Sequence, residues 1–316
     1  MPSSAVHAFT DPDEYAASIR ATTADLTVTR RGLFNAKLIR IDLHHLWMQR
    51  FAEDLPRVAY SANIAGRVII SFRTQPGPAL LVDGSQMRLD DVIRHSDAQE
   101  YFRRSDGAAS YGSMSLPVET IASIEEAMVG CALPPSRSAL TISPSPPAMA
   151  KLRHLHAAAG RLAEYAPEVI AHPEAAWGLE QSLIGAMFGC IDIGEGNEDR
   201  SALRQHAAIM RKFHRVTEEN PDQALYIPEV CAAIGASERT LRVCCQEHLG
   251  ISPKRYLLLR RMHLVRRALR AADASATTVT EIATRYGFWQ FGRFAGEYKL
   301  LFGELPSITL ARPITG

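Results

Sequence analysis

The chain has 316 residues, of which 47% are hydrophobic and 22% are charged, and its formal net charge is +1. This length allows two or three domains, and the composition excludes a disordered chain and is typical of a soluble globular protein. No apolar run approaches the about 20 residues that a transmembrane helix needs, and the N-terminus has no signal-peptide pattern. We therefore expect a cytoplasmic protein without a membrane partner.

Charge is distributed unevenly along the chain. Residues 222–316 contain 13 Lys or Arg against 8 Asp or Glu, a net charge of +5, whereas residues 1–221 contain 22 against 26, a net charge of −4. A basic C-terminal part suggests a polyanionic partner for that end of the chain.

The cysteines are scattered and odd in number: Cys131, Cys190, Cys231, Cys244 and Cys245. No C-x-x-C pair occurs, which argues against a disulfide framework and against a zinc ribbon. We expect reduced thiols in the protein core.

Short strands with frequent turns are predicted from residue 25 to about residue 117. NAKLIRIDLH alternates polar and apolar residues, GRVIISF is β-branched, and ALLVDGSQM contains an Asp-Gly turn at residues 83 and 84. VETIASIEEAMVG then has helical periodicity, and the proline-rich stretch after it leaves one short strand candidate at residues 139–142. This pattern indicates a β-rich sandwich or barrel.

Helices follow the β-rich part. Three helical segments are predicted, at residues 148–166, 174–191 and 200–220, with GEGNED as a loop before the third and ENPDQAL as an interdomain linker after it. The first two segments have apolar faces broad enough for a dimer surface. We therefore expect a homodimer through helices within residues 148–192.

The C-terminal region contains an internal repeat. EVCAAIGASERTLRVCCQEHLGISP, beginning at Glu229, matches EIATRYGFWQFGRFAGEYKLLFGELP, beginning at Glu281, with one inserted residue in the second copy. Each copy predicts a short helix, a glycine-containing turn and a second helix. This is the helix-turn-helix arrangement, whose second helix lies in the DNA major groove.

Helical spacing divides the second helix of each repeat into two faces. In the second copy, Phe291, Phe294, Tyr298 and Leu301 are predicted to be buried, with Phe288 closing the turn into the core. The opposite face carries Gln290, Gly292, Arg293, Gly296 and Lys299. A phosphate-binding enzyme loop fits poorly, because these glycines lie within a helical period and no strand precedes them.

These residues resemble the AraC/XylS family of bacterial transcription regulators over about residues 222–312. The motif comprises IATRYGF, Phe294, Tyr298-Lys299, Phe302-Gly303 and Pro306 in the second copy, and SERTLRVCCQEHLGISP with the long helix after it in the first. Three positions depart from the family pattern. Cys245 stands where an aromatic is usual, Val243 where a basic residue is frequent, and Trp289 where Ser or Asp often caps the second helix.

The resemblance implies an α+β fold with three parts. Residues 1–145 would form a β-rich, cupin-like effector barrel with flanking helices, and residues 146–221 a helical dimerisation segment and linker. Residues 222–316 would form an all-α DNA-binding domain, in which a long helix of about 30 Å joins two helix-turn-helix units.

The predicted DNA-binding residues lie on or beside the two recognition helices: Ser237, Arg239, Thr240, Arg242, Gln246, Gln290, Arg293 and Lys299. Arginine can make a bidentate contact to guanine, so Arg239, Arg242 and Arg293 are the base-reading candidates, and Lys299 is expected to contact phosphate. The remaining basic residues of the joining helix, Lys254, Arg255, Arg260, Arg261, Arg266 and Arg267, are expected to contact phosphate or solvent.

Trp47, Tyr60, Phe72 and Arg73 are the candidates for an effector pocket in the β-rich part. His44, His45 and Glu53 would suit a cupin metal site, but adjacent strand residues point to opposite faces, so we expect no metal. We also expect no catalytic residues and no cofactor.

The predicted function is that of a ligand-responsive regulator, an activator that controls nearby metabolic genes, with double-stranded DNA, a small-molecule effector and RNA polymerase as partners. Two alternatives remain open. One is a DNA-binding regulator controlled by a protein partner or by constitutive dimerisation, and the other is an enzyme with a regulatory tail.

Overall fold

The computed structural model describes residues 1–129, 139–191, 201–221, 223 and 225–312, without the side chains of residues 124–129 and 201–204. Its strands are β1 (Ser3–Phe9), β2 (Thr22–Val28), β3 (Ala36–Asp42), β4 (Trp47–Glu53), β5 (Arg57–Asn63), β6 (Arg67–Arg73), β7 (Leu80–Val82), β8 (Ser85–Gln86), β9 (Val92–Arg94), β10 (Glu100–Ser105), β11 (Ala109–Pro117) and β12 (Leu140–Ile142). Its helices are α1 (Pro12–Ala17), α2 (Val118–Val129), α3 (Pro146–Tyr165), α4 (Pro167–Ala171), α5 (Pro173–Ile191), α6 (Ser201–Glu219), α7 (Ile227–Ile234), α8 (Glu238–Leu249), α9 (Pro253–Ala271), α10 (Val279–Arg285), α11 (Phe291–Phe302) and α12 (Pro306–Leu310).

The strands form two antiparallel sheets. One sheet has seven strands in the order β1-β3-β4-β11-β6-β9-β12, and the other has five in the order β2-β5-β10-β7-β8. The α+β class is confirmed, and the predicted strand at residues 139–142 is β12. The sheets do not close into one barrel, although their arrangement is compatible with a cupin-like fold.

Apolar side chains fill the space between the sheets and cover both outer faces. Leu26, Leu38 and Tyr101 are buried between the sheets. The outer face of the seven-stranded sheet is covered by α3 and α5, through a cluster that includes Leu152 and Leu183. The apolar faces of α3 and α5 are therefore largely used within the chain. The sheets lie between these helices on one side and the C-terminal helices on the other.

The space between the sheets also holds a buried ion pair. Arg57 Nε donates to Glu53 Oε2 over 2.7 Å, and the hydroxyls of Tyr15 and Tyr111 donate to Glu53 Oε1 over 2.7 and 2.8 Å. Burial alone would raise the pKa of Glu53, but the charge of Arg57 holds it below its usual value. The carboxylate is thus ionised and fully hydrogen-bonded within the protein.

Some predicted features fall outside the described residues: Cys131, the GEGNED loop and two positions of the predicted linker. Within the described part, Cys190, Cys244 and Cys245 are buried free thiols and Cys231 is half-buried, in agreement with the prediction. No helix of that part is long and apolar enough to cross a membrane.

The C-terminal helices surround two apolar clusters that meet at α9. The first cluster joins α6 to α7, α8 and the start of α9, and Phe213 and Leu241 are fully buried in it. The second joins the rest of α9 to α10, α11 and α12 around Tyr298. Helix α6 therefore packs on the first helix-turn-helix unit, although it lies in the segment predicted for dimerisation. The domain boundaries at residues 145 and 221 remain predictions.

An acidic cluster on α1 and β2 holds the arginines of α9. Arg267 donates to Asp13 over 2.6 Å and to Asp25 over 2.5 Å, while Arg266 and Arg270 both pair with Asp11. Burial would raise the pKa of Asp25, but Arg267 lowers it below its usual value. We call this set of ion pairs the interdomain clamp, because it ties the two-sheet domain to the joining helix.

A second interdomain contact lies at the end of α8. Arg104 of β10 donates to the carbonyl oxygens of Gln246 and Glu247 over 3.2 and 3.3 Å, in the last turn of the helix, where the Gln246 carbonyl also accepts from Gly250 N. Beside it, Asp83 Oδ1 accepts a hydrogen bond from Phe102 N and lies 3.9 Å from Nδ1 of His248. Burial raises the pKa of Asp83 to about 6 and lowers that of His248 to about 4.

We expect Asp83→Asn to stabilise the protein at pH 7. The folded pKa of Asp83 lies above the unfolded value, so ionisation costs stability; the cost is absent below about pH 4 and approaches about 3 kcal/mol above about pH 6. Asn can still accept from Phe102 N, and it tolerates the left-handed backbone at this residue, where φ is 46°. Urea unfolding at pH 4.5 and pH 7.5 measures the effect, and an equal gain at both values would contradict this explanation.

Candidate nucleic-acid interface

Four glycines fix the repeat geometry. Gly235 and Gly287 end the first helix of each unit, and Gly250 and Gly303 end the second, with φ between 69° and 78°. L-residues rarely adopt this left-handed conformation, whereas glycine does so without steric cost. The sequence repeat therefore corresponds to two structurally equivalent helix-turn-helix units.

In the first unit, α8 is the predicted recognition helix. Ser237 caps it by accepting a hydrogen bond from Thr240 N over 3.1 Å, and the two hydroxyl groups of these residues are 2.8 Å apart. Arg239, Arg242 and Gln246 are exposed on the face opposite the core. Ser237 and Thr240 lie at the start of the helix, and a DNA contact by any of these residues stays a prediction.

In the second unit, α11 is the predicted recognition helix. Its N-cap is Gln290, whose side chain makes no capping hydrogen bond, and Arg293 and Lys299 are exposed. Gly292 and Gly296 face open space, so a DNA backbone could approach this surface closely. One prediction is wrong: Phe291 is 40% exposed, because the helix begins at this residue and its side chain lies outside the core.

Two of the predicted base-reading arginines are paired within their own helix. Arg242 Nη2 lies 2.8 Å from Glu238 Oε1, and Arg293 Nε lies 2.9 Å from Glu297 Oε1. Both arginine side chains are more than two-thirds exposed, and exposed i,i+4 pairs contribute only about 0.3–0.5 kcal/mol. Both guanidinium groups can therefore exchange a carboxylate for a base edge at little cost.

Helix α9 joins the two units. Its 19 residues span about 28 Å, close to the ~34 Å that separates successive major grooves on one side of B-DNA. The expectation that its basic residues contact phosphate or solvent is wrong for Arg260, Arg266 and Arg267, since each is paired with an acidic residue in a part-buried contact. Long-range pairing of this kind has no local sequence signal.

Each of the four predicted effector residues has its own contacts within the described part of the chain. Trp47 packs under the guanidinium of Arg67, and the Tyr60 ring stacks on His214 of α6 with centroids 3.4 Å apart. Phe72 is buried beside His156, and Arg73 lies under Gly77. None of the four lines the cavities described below.

Sequence reasoning missed several exposed apolar side chains near the recognition surfaces. Trp289 is 71% exposed, Leu300 60% and Val243 42%. Trp289 and Val243 are two of the positions that depart from the family pattern. The departure from the family pattern could have indicated the exposure of Trp289 and Val243. The sequence gives no comparable indication for Leu300.

A family model described as a helix-turn-helix domain matches residues 230–312. The probable thc operon regulatory protein of Rhodococcus erythropolis is 46% identical over 99 residues, which are 31% of this chain and 30% of that protein. XylDLEGF operon transcriptional activator 3 of Pseudomonas putida is 31% identical over 122 residues, 39% of this chain and 37% of that protein. The matched part of the chain spans about a third of the length of these relatives.

Two solved structures are similar over most of the chain at low sequence identity. The alignment with the AraC-like transcriptional activator CuxR covers 88% of this chain and 99% of the CuxR chain, with 13% identity and a TM-score of 0.43. The alignment with ToxT from Vibrio cholerae O395 covers 93% of this chain and 100% of the ToxT chain, with 11% identity and a TM-score of 0.29. Both TM-scores are below 0.5, so the description of the fold given above depends only on the strands and helices of this chain.

We expect the recognition arginines and Lys299 to affect DNA binding differently. Arg239→Ala or Arg293→Ala should cost about 1–3 kcal/mol at the cognate site and relax the preference at one or two base pairs. Lys299→Ala should weaken binding about equally on all sequences, because a phosphate contact does not read bases. Fluorescence anisotropy on the cognate duplex and its single-base variants measures both effects. A uniform loss for Arg293→Ala would make Arg293 a phosphate contact instead.

Proposed function

We propose that this chain, which belongs to the AraC/XylS family through its C-terminal region, is a sequence-specific DNA-binding transcriptional regulator. The proposal rests on the pair of equivalent helices α8 and α11, which α9 joins. Arg239, Arg242 and Arg293 are exposed on these two helices. The spacing suits two adjacent major grooves, so one chain would cover about two turns of DNA.

The sign of regulation forms part of the proposal. The Pseudomonas putida relatives are named transcriptional activators, and we propose that this chain also activates, with RNA polymerase as its protein partner. Nearby metabolic genes are the proposed targets, and mapping the genomic sites that the protein protects would test this.

We further propose that a small molecule controls the regulator. A cavity of about 310 Å³ lies between the domains, walled by Val28, Phe34 and Phe302 and by the polar side chains His263 and Arg266. The cavity between the two sheets is only about 30 Å³, room for one or two water molecules. A ligand in the larger cavity would touch both domains and could alter how they are held together.

The alternative is control by a protein partner or by constitutive dimerisation. A metabolite that raises the melting temperature of the full chain, but not that of residues 201–316 alone, would favour the small molecule. A panel of metabolites without any such effect would favour the alternative.

The proposed homodimer uses the exposed face of α5. Trp177 is 59% exposed there, and the neighbouring Gly178, Gly185 and Gly189 face open space. Glycines allow two helix backbones to approach closely, and a dimer would place two DNA-binding domains on paired or repeated half-sites.

Gly185→Leu should convert the dimer into a folded monomer. The added side chain blocks close approach of two α5 helices, while replacing an exposed helical glycine favours the helix by up to about 1 kcal/mol. Lys151→Leu on the exposed face of α3 is the control and should leave the dimer intact. Sedimentation at micromolar concentration distinguishes the species, and a monomeric wild type with and without DNA would refute the dimer.

The isolated C-terminal region should bind DNA. A fragment of residues 220–316 contains both helix-turn-helix units, but it lacks Met210 and Phe213, which are fully buried against the first unit. We therefore expect residues 201–316 to be more stable than residues 220–316, by about 4 kcal/mol or more. Both should bind promoter DNA, with affinity falling steeply as salt rises. A folded 201–316 fragment without affinity for promoter DNA at low salt would refute the proposed function.

A further inference from the structure

The loop between β2 and β3 lies against the DNA-binding domain. Val28 N, at its start, donates to His263 Nε2 of α9 over 3.1 Å, and Thr29 N donates to the carbonyl oxygen of Pro56 over 3.0 Å. At its other end, Leu33 packs beside Gly303, where α11 ends. Burial lowers the pKa of His263 to about 4, so this imidazole is neutral at pH 7 and the contact persists at that pH. The loop therefore has a fixed position beside α9 and α11.

Arg30 and Arg31 of this loop line a groove of about 360 Å³ along the DNA-binding domain. Residues of α9 and α11 also line it, among them Arg255 and the exposed Leu300. We call it the arginine groove. It lies outside the interdomain clamp, which involves other arginines of α9.

The arginine groove has an uncompensated positive charge. Within the described part of the chain, no acidic side chain lies within ion-pair distance of the guanidinium groups of Arg30, Arg31 and Arg255. Glu297 is the one acid that lines the groove, and it already pairs with Arg293. The arginines of the clamp, in contrast, all have carboxylate partners.

Arg255 also departs from a local rule. It lies with Lys254 in the first turn of α9, which contains no acidic residue. The positive end of the helix dipole disfavours cations there and favours anions. Two basic residues at that end are therefore locally unfavourable unless an anion binds beside them.

The groove adjoins the predicted base-reading surface. Glu297, which lines the groove, accepts the hydrogen bond of Arg293, and Leu300 lies one helical turn beyond Gly296. A recognition helix in the major groove has a sugar-phosphate strand along each flank. Arg30, Arg31 and Arg255 line the same groove as residues of α11, so they lie beside the predicted recognition helix.

We propose that the two-sheet domain itself contacts DNA, and that Arg30 and Arg31, together with Arg255, bind the phosphate backbone beside the second recognition helix. This inference rests on the proposed function and extends it, because a phosphate contact is assigned to the regulatory domain. The domain would then contribute affinity but no base discrimination, since phosphates carry no sequence information.

The test is the salt dependence of DNA binding by the full chain. The probe is the duplex that the wild-type chain selects from a random-sequence pool, and the measured quantity is the slope of log affinity against log salt concentration. Replacing Arg30 and Arg31 together by Ala should make the slope shallower by about two, since each phosphate contact contributes about 0.9. Preference among single-base variants of the duplex should not change.

Two variants serve as controls. Lys151→Ala with Arg161→Ala removes two exposed charges from α3, away from the groove, and should leave the slope within about half a unit of wild type. Arg30→Lys with Arg31→Lys keeps both charges and should retain most of the slope. Both arginines are exposed loop residues, so these changes should leave the melting temperature unaltered.

The outcomes separate this inference from the proposed function. A wild-type chain that binds DNA with the same slope as the Arg30/Arg31 alanine variant overturns this inference alone. A 201–316 fragment with the full slope of the intact chain also overturns it. A wild-type chain without affinity for any duplex in the pool refutes the proposed function, and this inference with it.

Discussion

The interdomain clamp is the interaction on which the arrangement of the molecule depends. Arg266, Arg267 and Arg270 follow one side of α9, and carboxylates of α1 and β2 meet them in part-buried contacts. Removing one member of a buried pair typically costs about 3–5 kcal/mol, because the other charge stays desolvated. Since α9 also carries both helix-turn-helix units, the same contacts set the position of the recognition helices relative to the sheets.

Arginine has two roles in this chain, and burial distinguishes them. In the clamp the guanidinium groups lie against carboxylates from a distant part of the sequence, and exchanging those partners would require the domains to separate. On the predicted recognition helices, the exposed Arg242 pairs with the exposed Glu238, and the exposed Arg293 pairs with the half-buried Glu297, each within its own helix. Such pairs are worth little in water, so a base or phosphate can replace the glutamate. Counting basic residues along the sequence cannot separate the two roles.

The parts of the structure that the sequence predicts well are those with a local physical cause. The repeat, its turn glycines and the apolar period of α8 and α11 depend on backbone geometry and side-chain spacing, which are legible over a few turns. The placement of Phe291 was wrong because spacing alone does not show where a helix begins. The partners of Arg266 and the stacking of Tyr60 on His214 depend on segments more than 150 residues apart, and no local pattern encodes such contacts.

Asp11 links local folding to the docking of distant parts of the chain. Its Oδ1 accepts from the amides of Asp13 and Glu14 and so caps α1, while its Oδ2 pairs with Arg266 of α9. A helix of six residues is far below the about 12–15 needed for stability on its own. The Asp11 carboxylate therefore both stabilises the α1 backbone and binds α9, which lies more than 200 residues later in the sequence. Protection of these two amides from hydrogen exchange would thus report, from inside the N-terminal domain, whether the C-terminal domain is docked.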